Sequence, residues 1–483
     1  MQKRILIFKS RYLKKIKNSY FLFIFCFGCV STHYDRTEKF TFSWKIGDLD
    51  SASVEAEKLS VDGPSRDRLL YQLEEAMIKR MKGDIDGSIR SFNKVSDEYA
   101  RWFGVHLKTE KKIAEEFLST LGSAEWKPYK SRIYERVMMR YYQALNYLQK
   151  GDDGRARAEI FKIRQAIDDS KQIWEKELEI AKAEMSKKNI DLEQGLESGN
   201  EDSIQKDILR IKKIVPDNFP VFVNPAAIYL EALYFLRGGR QRDDFEKAEF
   251  SLRQLTSIYP KNKWLSEDYA KAKSFSQATK EFTYVFFDTG RAPVRVEKRF
   301  DLPVMFFSTT SRIPYLGIAM PSLKINDQYA SNISIRSDSD NTVYNTELLA
   351  DLDVIVSQEF EKFYPVELTK AISGSLLKGG LQYIATDSVR GENDTVRSVL
   401  GVGSGILAQA TTRADLRSWS TLPKQIRFCK IPTPTDKKLT IQSVGTNFNI
   451  AVTLKPSLTN LVFIRSISSY TPLKLVGQIS IDP

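Results

Sequence analysis

From residue 49 to about residue 280, apolar side chains recur at three- and four-residue spacing, and Pro and Gly are sparse. That pattern predicts one helix after another. From residue 282 onward the pattern changes. Short β-branched and aromatic runs at 282–287, 304–307, 316–319, 333–335 and 461–467 predict strands, several of them separated by Pro and Gly. Residues 346–363 and 366–388 read as helices within this second part, the first with Leu348, Leu352, Ile355, Val356 and Phe360 on one face. The expected architecture is an α-helical domain over 47–280 followed by an α+β domain over 281–483. In the latter a mainly antiparallel sheet packs against the two helices.

The helical part invites a repeat search. Three stretches carry a small residue, an apolar residue four on and another three further, the second-helix signature of a tetratricopeptide repeat. They are Ser88, Phe92 and Val95 after Gly83; Ala156, Ile160 and Ile163 after Gly151; and Ala248, Leu252 and Leu255 before Pro260. Ser88 and Ala156 lie 68 residues apart, two periods of 34. Two helices of a hairpin cross closely only where side chains are short. An array of this kind exposes a concave groove that binds extended peptides or partner proteins. Residues 167–213, dense in Lys, Glu and Asp, read as a charged helical hairpin projecting from the array, turning near Gly199-Asn200.

Composition changes the picture at the N-terminus. The 483 residues carry a formal net charge of +12, which alone would raise nucleic acid or a membrane surface as a partner. Seven basic residues and no acidic one lie in residues 1–28, leaving +5 for the rest of the chain. That removes the case for nucleic acid. The basic run leads into an apolar segment, 20–27, too short to span a bilayer, and then into Gly28-Cys29. This is the layout of a secretory signal peptide, and the Gly28-Cys29 junction resembles the lipobox of bacterial lipoproteins. Residues 1–28 are thus expected to be a signal peptide, Cys29 the lipidation site, and 29–46 a lipid-anchored tether. Cys429 remains as a lone buried thiol.

Candidate chemistry is thin. Two histidines and three cysteines suit neither a His-based triad nor a metal cluster, and neither a metal nor a cofactor is expected. Gly401–Gly405 lacks the Gly-Lys-Ser/Thr of a phosphate loop. Asp351, Asp353, Glu359 and Glu361 could pair as glycosidase carboxylates, but more simply fill the solvated face of an amphipathic helix. Ser373 and Ser375 lack a nearby base. The most suggestive cluster is Arg291, Arg295, Arg417 and Trp419, since arginine beside an aromatic surface grips carboxylates, phosphates or sugars. The simpler reading is a turn whose arginines pair with acids such as Glu297 and Asp415.

Several motifs recur in order along the chain: 134–137 leading into 141–148, Asn224-Pro225 leading into 229–233, 289–295, Leu302-Pro303, 319–321, and 414–423. On these the chain resembles a family of bacterial outer-membrane lipoproteins with a tetratricopeptide-like N-terminal region and no assigned enzymatic activity. Leu416 stands where that family tends to have Thr. The resemblance implies a lipid-anchored, non-enzymatic envelope scaffold facing the periplasm and binding other envelope proteins. The same resemblance points to the peptidoglycan-synthesis machinery as a candidate among those partners. A peptidoglycan-binding or cell-wall-modifying lipoprotein and a surface-displayed contact factor are the alternatives.

Overall fold

The computed structural model describes residues 32–106, 127–187, 204–239, 241–275, 280–303, 315–339, 341–387 and 413–482. In chain order, α1 (His33–Ile46), α2 (Leu49–Asp62), α3 (Arg68–Lys82), α4 (Ile85–His106), α5 (Ile133–Gln149) and α6 (Asp153–Lys187) come first. There follow α7 (Ile204–Lys212), α8 (Pro225–Gly238), α9 (Arg242–Ile258) and α10 (Lys263–Lys273). Three helical hairpins, α3–α4, α5–α6 and α8–α9, form the frame. The small–apolar–apolar triplets read from the sequence all lie on the second helices and are all buried, Ser88, Phe92, Ala156, Ile160, Ala248 and Leu252 completely. The first two hairpins turn at Gly83 and Gly151, both at positive φ.

The sheet-bearing part begins with β1 (Phe282–Thr289), β2 (Val294–Pro303), β3 (Tyr315–Lys324), β4 (Ile333–Ser337), β5 (Val343–Asn345) and β6 (Glu347–Asp351). A long helix, α11 (Leu352–Asp387), precedes β7 (Gln425–Pro432), β8 (Lys438–Ser443), β9 (Asn449–Thr453), β10 (Thr459–Ser466) and β11 (Lys474–Ile481). The main sheet has the order β11-β10-β1-β7-β6, antiparallel except for the parallel β1–β10 pair. A second sheet, β5-β4-β8-β9, and the β2–β3 pair are antiparallel throughout.

The main sheet lies against the first helices of the hairpins. These helices are buried nearly all round, and where polar side chains such as Glu74, Arg80 and Asn146 are enclosed with the apolar ones they find buried partners. In α8 every residue from Pro225 to Arg237 is buried. Tyr229 packs its ring 4.6 Å from Phe428 of β7 and 6.2 Å from Phe286 of β1. The Tyr142 hydroxyl of α5 donates to Asp288 of β1 at 2.9 Å. Arg80 of α3 stands over the Phe463 ring of β10. The inner face of the array, the face expected to offer a groove, is therefore filled by the chain's own sheet.

Several expectations change on this frame. The shift near residue 280 marks the passage from helices to strands, but one buried apolar cluster runs from Leu70 through Tyr229 to Phe463 and Ile479. The two parts share a core. Residues 32–46, expected within the tether, form α1: Thr32 and Asp35 close a capping box, and Phe40 and Trp44 bury against Ala52, Ile78, Met81 and Ile467. The proposed signal peptide and Cys29 lie outside the described residues.

The charged stretch 167–187 does not project. It continues α6, whose Ala181 packs on Val366 of α11 and whose Trp174 indole donates to the Lys362 carbonyl at 3.0 Å. The expected turn at Gly199-Asn200 lies outside the described residues, as do 304–307 and Gly401–Gly405. The two helices expected over 346–363 and 366–388 are one, running through Pro365. Residues 347–351 are strand instead, because Leu348 and Ala350 pair with Arg427 and Ile426 of β7 across a bulge. Tertiary pairing overrode the helical pattern.

Candidate functional site

Where α1, α3, the β2–β3 pair and residues 413–420 meet, they enclose an open cleft of about 840 Å³. Three of the four residues singled out in the sequence, Arg291, Arg295 and Arg417, line it. Trp419 does not. Its side chain is 1% exposed, with edge-on contacts to Phe92 at 6.0 Å and Tyr142 at 6.4 Å and an indole bond to Thr421. It supports the wall from behind.

Arg417 is also 1% exposed and is fully engaged. Its Nε and Nη2 donate to the two carboxylate oxygens of Asp415 at 2.8 Å, and its Nη1 donates to Asp67 at 2.8 Å and to the Lys127 carbonyl at 2.9 Å. The sequence alternative of a turn with locally paired arginines thus describes Arg417–Asp415 and misses Asp67. Burial alone would raise Asp415, yet the charge and hydrogen bonds of Arg417 hold it well below the usual carboxylate range. Asp67 also accepts from Arg36 of α1 at 2.9 Å. His33 stacks on Tyr71 at 5.7 Å, and desolvation lowers its pKa to about 4 against the opposing pull of Asp67. Arg295 donates to the Asp415 carbonyl at 3.3 Å and lies over the Phe360 ring.

The remaining acids of the wall are taken up by neighbours. Glu74 of α3 accepts from the amides of Ser420 and Thr421 at 2.6 and 3.1 Å, and from their hydroxyls at 2.7 and 2.6 Å. Burial pushes it up to about 7, while those four bonds pull it down. Sequence reasoning missed Glu74, although its spacing places it between Leu70 and Met77 on the apolar face of α3. A carboxylate on an apolar stripe signals a buried partner.

The carboxylates considered for glycosidase chemistry have separate duties. Glu359 is not on a solvated face: it is buried and accepts from the amides of Ile133 and Tyr134 at 2.8 and 2.9 Å, capping the N-terminus of α5. Asp353 is buried and pairs with Lys424, and burial pushes it up to about 6. Asp351 accepts from Gln425 at 2.8 Å. Ser375 donates to the Gly317 carbonyl at 3.2 Å, and Ser373 is buried. Cys429 is buried in β7, and desolvation pushes its thiol up to about 12. Among the described residues no group of three or more His, Cys, Asp or Glu converges as a metal site, and no helix is long and apolar enough to cross a membrane.

No protein-family model matches the chain, and no curated protein matches it. Among solved structures, a tetratricopeptide repeat protein from Parabacteroides merdae ATCC 43184 is similar at 12% identity and a TM-score of 0.14. The likeness covers 50% of this chain and 98% of that one. It is too slight to assign fold or function.

Proposed function

We propose that the chain is a non-enzymatic, lipid-anchored scaffold of the bacterial cell envelope, held at the outer membrane by lipid on Cys29 and facing the periplasm. The observation that supports the reading is the use made of its polar side chains. Glu74, Glu135, Glu359, Asp67 and Arg417 all tie the helical part to the sheet-bearing part. Their lone pairs and protons are committed to neighbours rather than held ready for a substrate. A body cross-tied in this way offers a partner a rigid surface and loses little freedom on binding. The address itself comes from the sequence: the basic run, the short apolar segment and Gly28-Cys29.

The inner helices are covered on both sides, so a protein partner meets the outer ones. On α6 and α9, Phe161 and Phe250 are 44% and 51% exposed, with the Arg157 and Arg164 guanidiniums over their rings at 5.3 and 5.1 Å. Phenylalanine with arginine is the composition of a protein interface. The family resemblance points to envelope proteins of cell-wall synthesis as the partner class. A photo-crosslinking residue at position 250, activated in intact membranes, should capture a discrete protein, and Phe161→Asp should abolish the capture. No protein adduct, or capture indifferent to that substitution, would overturn the reading.

A further inference from the structure

The cleft carries an uncompensated charge. Two of its three acids are engaged, Glu74 with Ser420 and Thr421, and Glu297 with Arg299 at 2.9 Å and the Ala414 amide at 3.1 Å; the third, Asp327, is 85% exposed and 3.6 Å from Lys424. Several cations lining it have no ion pair among the described residues: Arg295, Arg413 and, gathered at one end, Lys45 in the last turn of α1, Arg291 between β1 and β2, and Lys324 at the end of β3. The Arg291 Nε is buried without a hydrogen-bond partner among the described residues.

These side chains are held together by the backbone. The β2–β3 register sets Lys324 opposite Val294, three residues from Arg291. Asn326 donates to the Arg291 and Ala292 carbonyls at 3.4 and 2.6 Å, fixing the turn to the end of β3. Gly290 enters that turn at φ +69°, and a Cβ there would stand 2.8 Å from Tyr329 Cβ and 2.9 Å from Lys424 Cβ. The turn must be glycine. Lys45 lies close enough that, after desolvation, the charges of Arg291 and Lys324 lower its pKa below the ordinary ammonium value.

We propose that Lys45, Arg291 and Lys324 form a binding site for a phosphoryl group. Three like charges converging on one opening repel one another, and a phosphoryl group relieves that repulsion with oxygens enough for several donors at once, at a charge of about −1 as a headgroup diester and near −2 as a monoester. The arginine fork supplies directed donors and the two ammonium groups supply point charges, the mixture that phosphate oxygens accept. Thr32 and His33 line the same cleft. Cys29 precedes Thr32 by three residues, a reach of about 10 Å at full extension. A lipid on Cys29 would hold the cleft at the bilayer surface, among headgroup phosphates. That attribution to a lipid rests on the anchored reading; the phosphoryl site rests on the cleft alone.

The test is calorimetric titration of the full chain in non-ionic detergent at low salt, with inorganic pyrophosphate, soluble short-chain phosphatidylglycerol and succinate as probes. Pyrophosphate or the phospholipid binds more tightly than succinate. The exposed-site double variant Lys45→Gln/Lys324→Gln weakens that binding at least ~10-fold while melting at the wild-type temperature. Arg291→Lys, which keeps the charge and loses the fork, weakens it less. Tighter binding of the phospholipid than of pyrophosphate assigns the group to a lipid headgroup, and the reverse order assigns it to a soluble phosphate compound. No binding of either probe, succinate binding as tightly, or affinity unchanged in the double variant would overturn the site. Failure of the anchor appears only in lipid labelling and leaves this titration untouched.

Discussion

Arg417 donates to Asp67 at 2.8 Å across a sequence separation of 350 residues, both side chains nearly inaccessible to solvent. The pair joins the turn before α3 to the segment before β7, and Asp415 and Arg36 complete it. Arg417→Met would leave Asp415 as a largely buried carboxylate without its bidentate cation and Asp67 with Arg36 as its close cation, at a cost of about 3–5 kcal/mol. Arg417→Lys recovers only part of this, because an ammonium cannot span both oxygens of Asp415 and still reach Asp67. Denaturant unfolding of the two variants checks both statements.

Glu359 and Glu361 lie two residues apart on α11 and separate two accounts of that helix. If Glu359 caps α5 as described, Glu359→Ala orphans the Ile133 and Tyr134 amides and destabilises by about 2–4 kcal/mol. Glu361→Ala should stay within about 0.5 kcal/mol. Equal, small effects would restore the solvated-face reading of the carboxylates.

α1 is part of the core rather than a tether. Trp44 is 1% exposed against Ala52, Met81 and Ile467. Trp44→Ala should cost about 3–5 kcal/mol, whereas Phe42→Ala, at a side chain 63% exposed, should cost little. Thermal melting of both variants distinguishes a docked helix from a loose linker.

His33 gives the fold a pH dependence of known sign. Its pKa falls from 6.5 to about 4 on folding, chiefly by desolvation, so the unfolded chain binds the extra proton between those values. Its contribution is fully present above pH 6.5 and is lost as pH falls toward 4, roughly 1–3 kcal/mol in all. Glu74, raised by burial to about 7, acts in the opposite sense, losing stability as pH rises from 4.5 to 7. The measurement is therefore the difference between wild type and His33→Gln in urea midpoint across pH 4–7. Glu74 is common to both, and the difference should narrow as pH falls.

The helices from residue 49 onward and four of the strands, β1, β3, β4 and β10, were legible because their periodicities are local: Ser88-Phe92-Val95 and Ala248-Leu252-Leu255 announce buried second helices with no knowledge of what covers them. What covers the first helices was not legible. The all-round apolar character of α8 implied burial on two sides, but only tertiary contact names Phe286 and Phe428 as its second partner. Residues 347–351 failed for the related reason that a helix-compatible pattern was claimed by a neighbouring strand. In the cleft, Arg291, Arg295 and Arg417 stood out through their clustering in two short motifs. Lys45 and Lys324 could not, since a lone lysine in sequence carries no sign of what it faces. Asp67, 350 residues from Arg417, left no local trace either.

The envelope account stands on Cys29, and metabolic labelling with palmitate tests it most directly. Cells producing the wild-type chain should yield labelled protein in the membrane fraction, and Cys29→Ser should abolish the label. Label that persists in Cys29→Ser, or a wild-type chain that takes up none, would contradict the account.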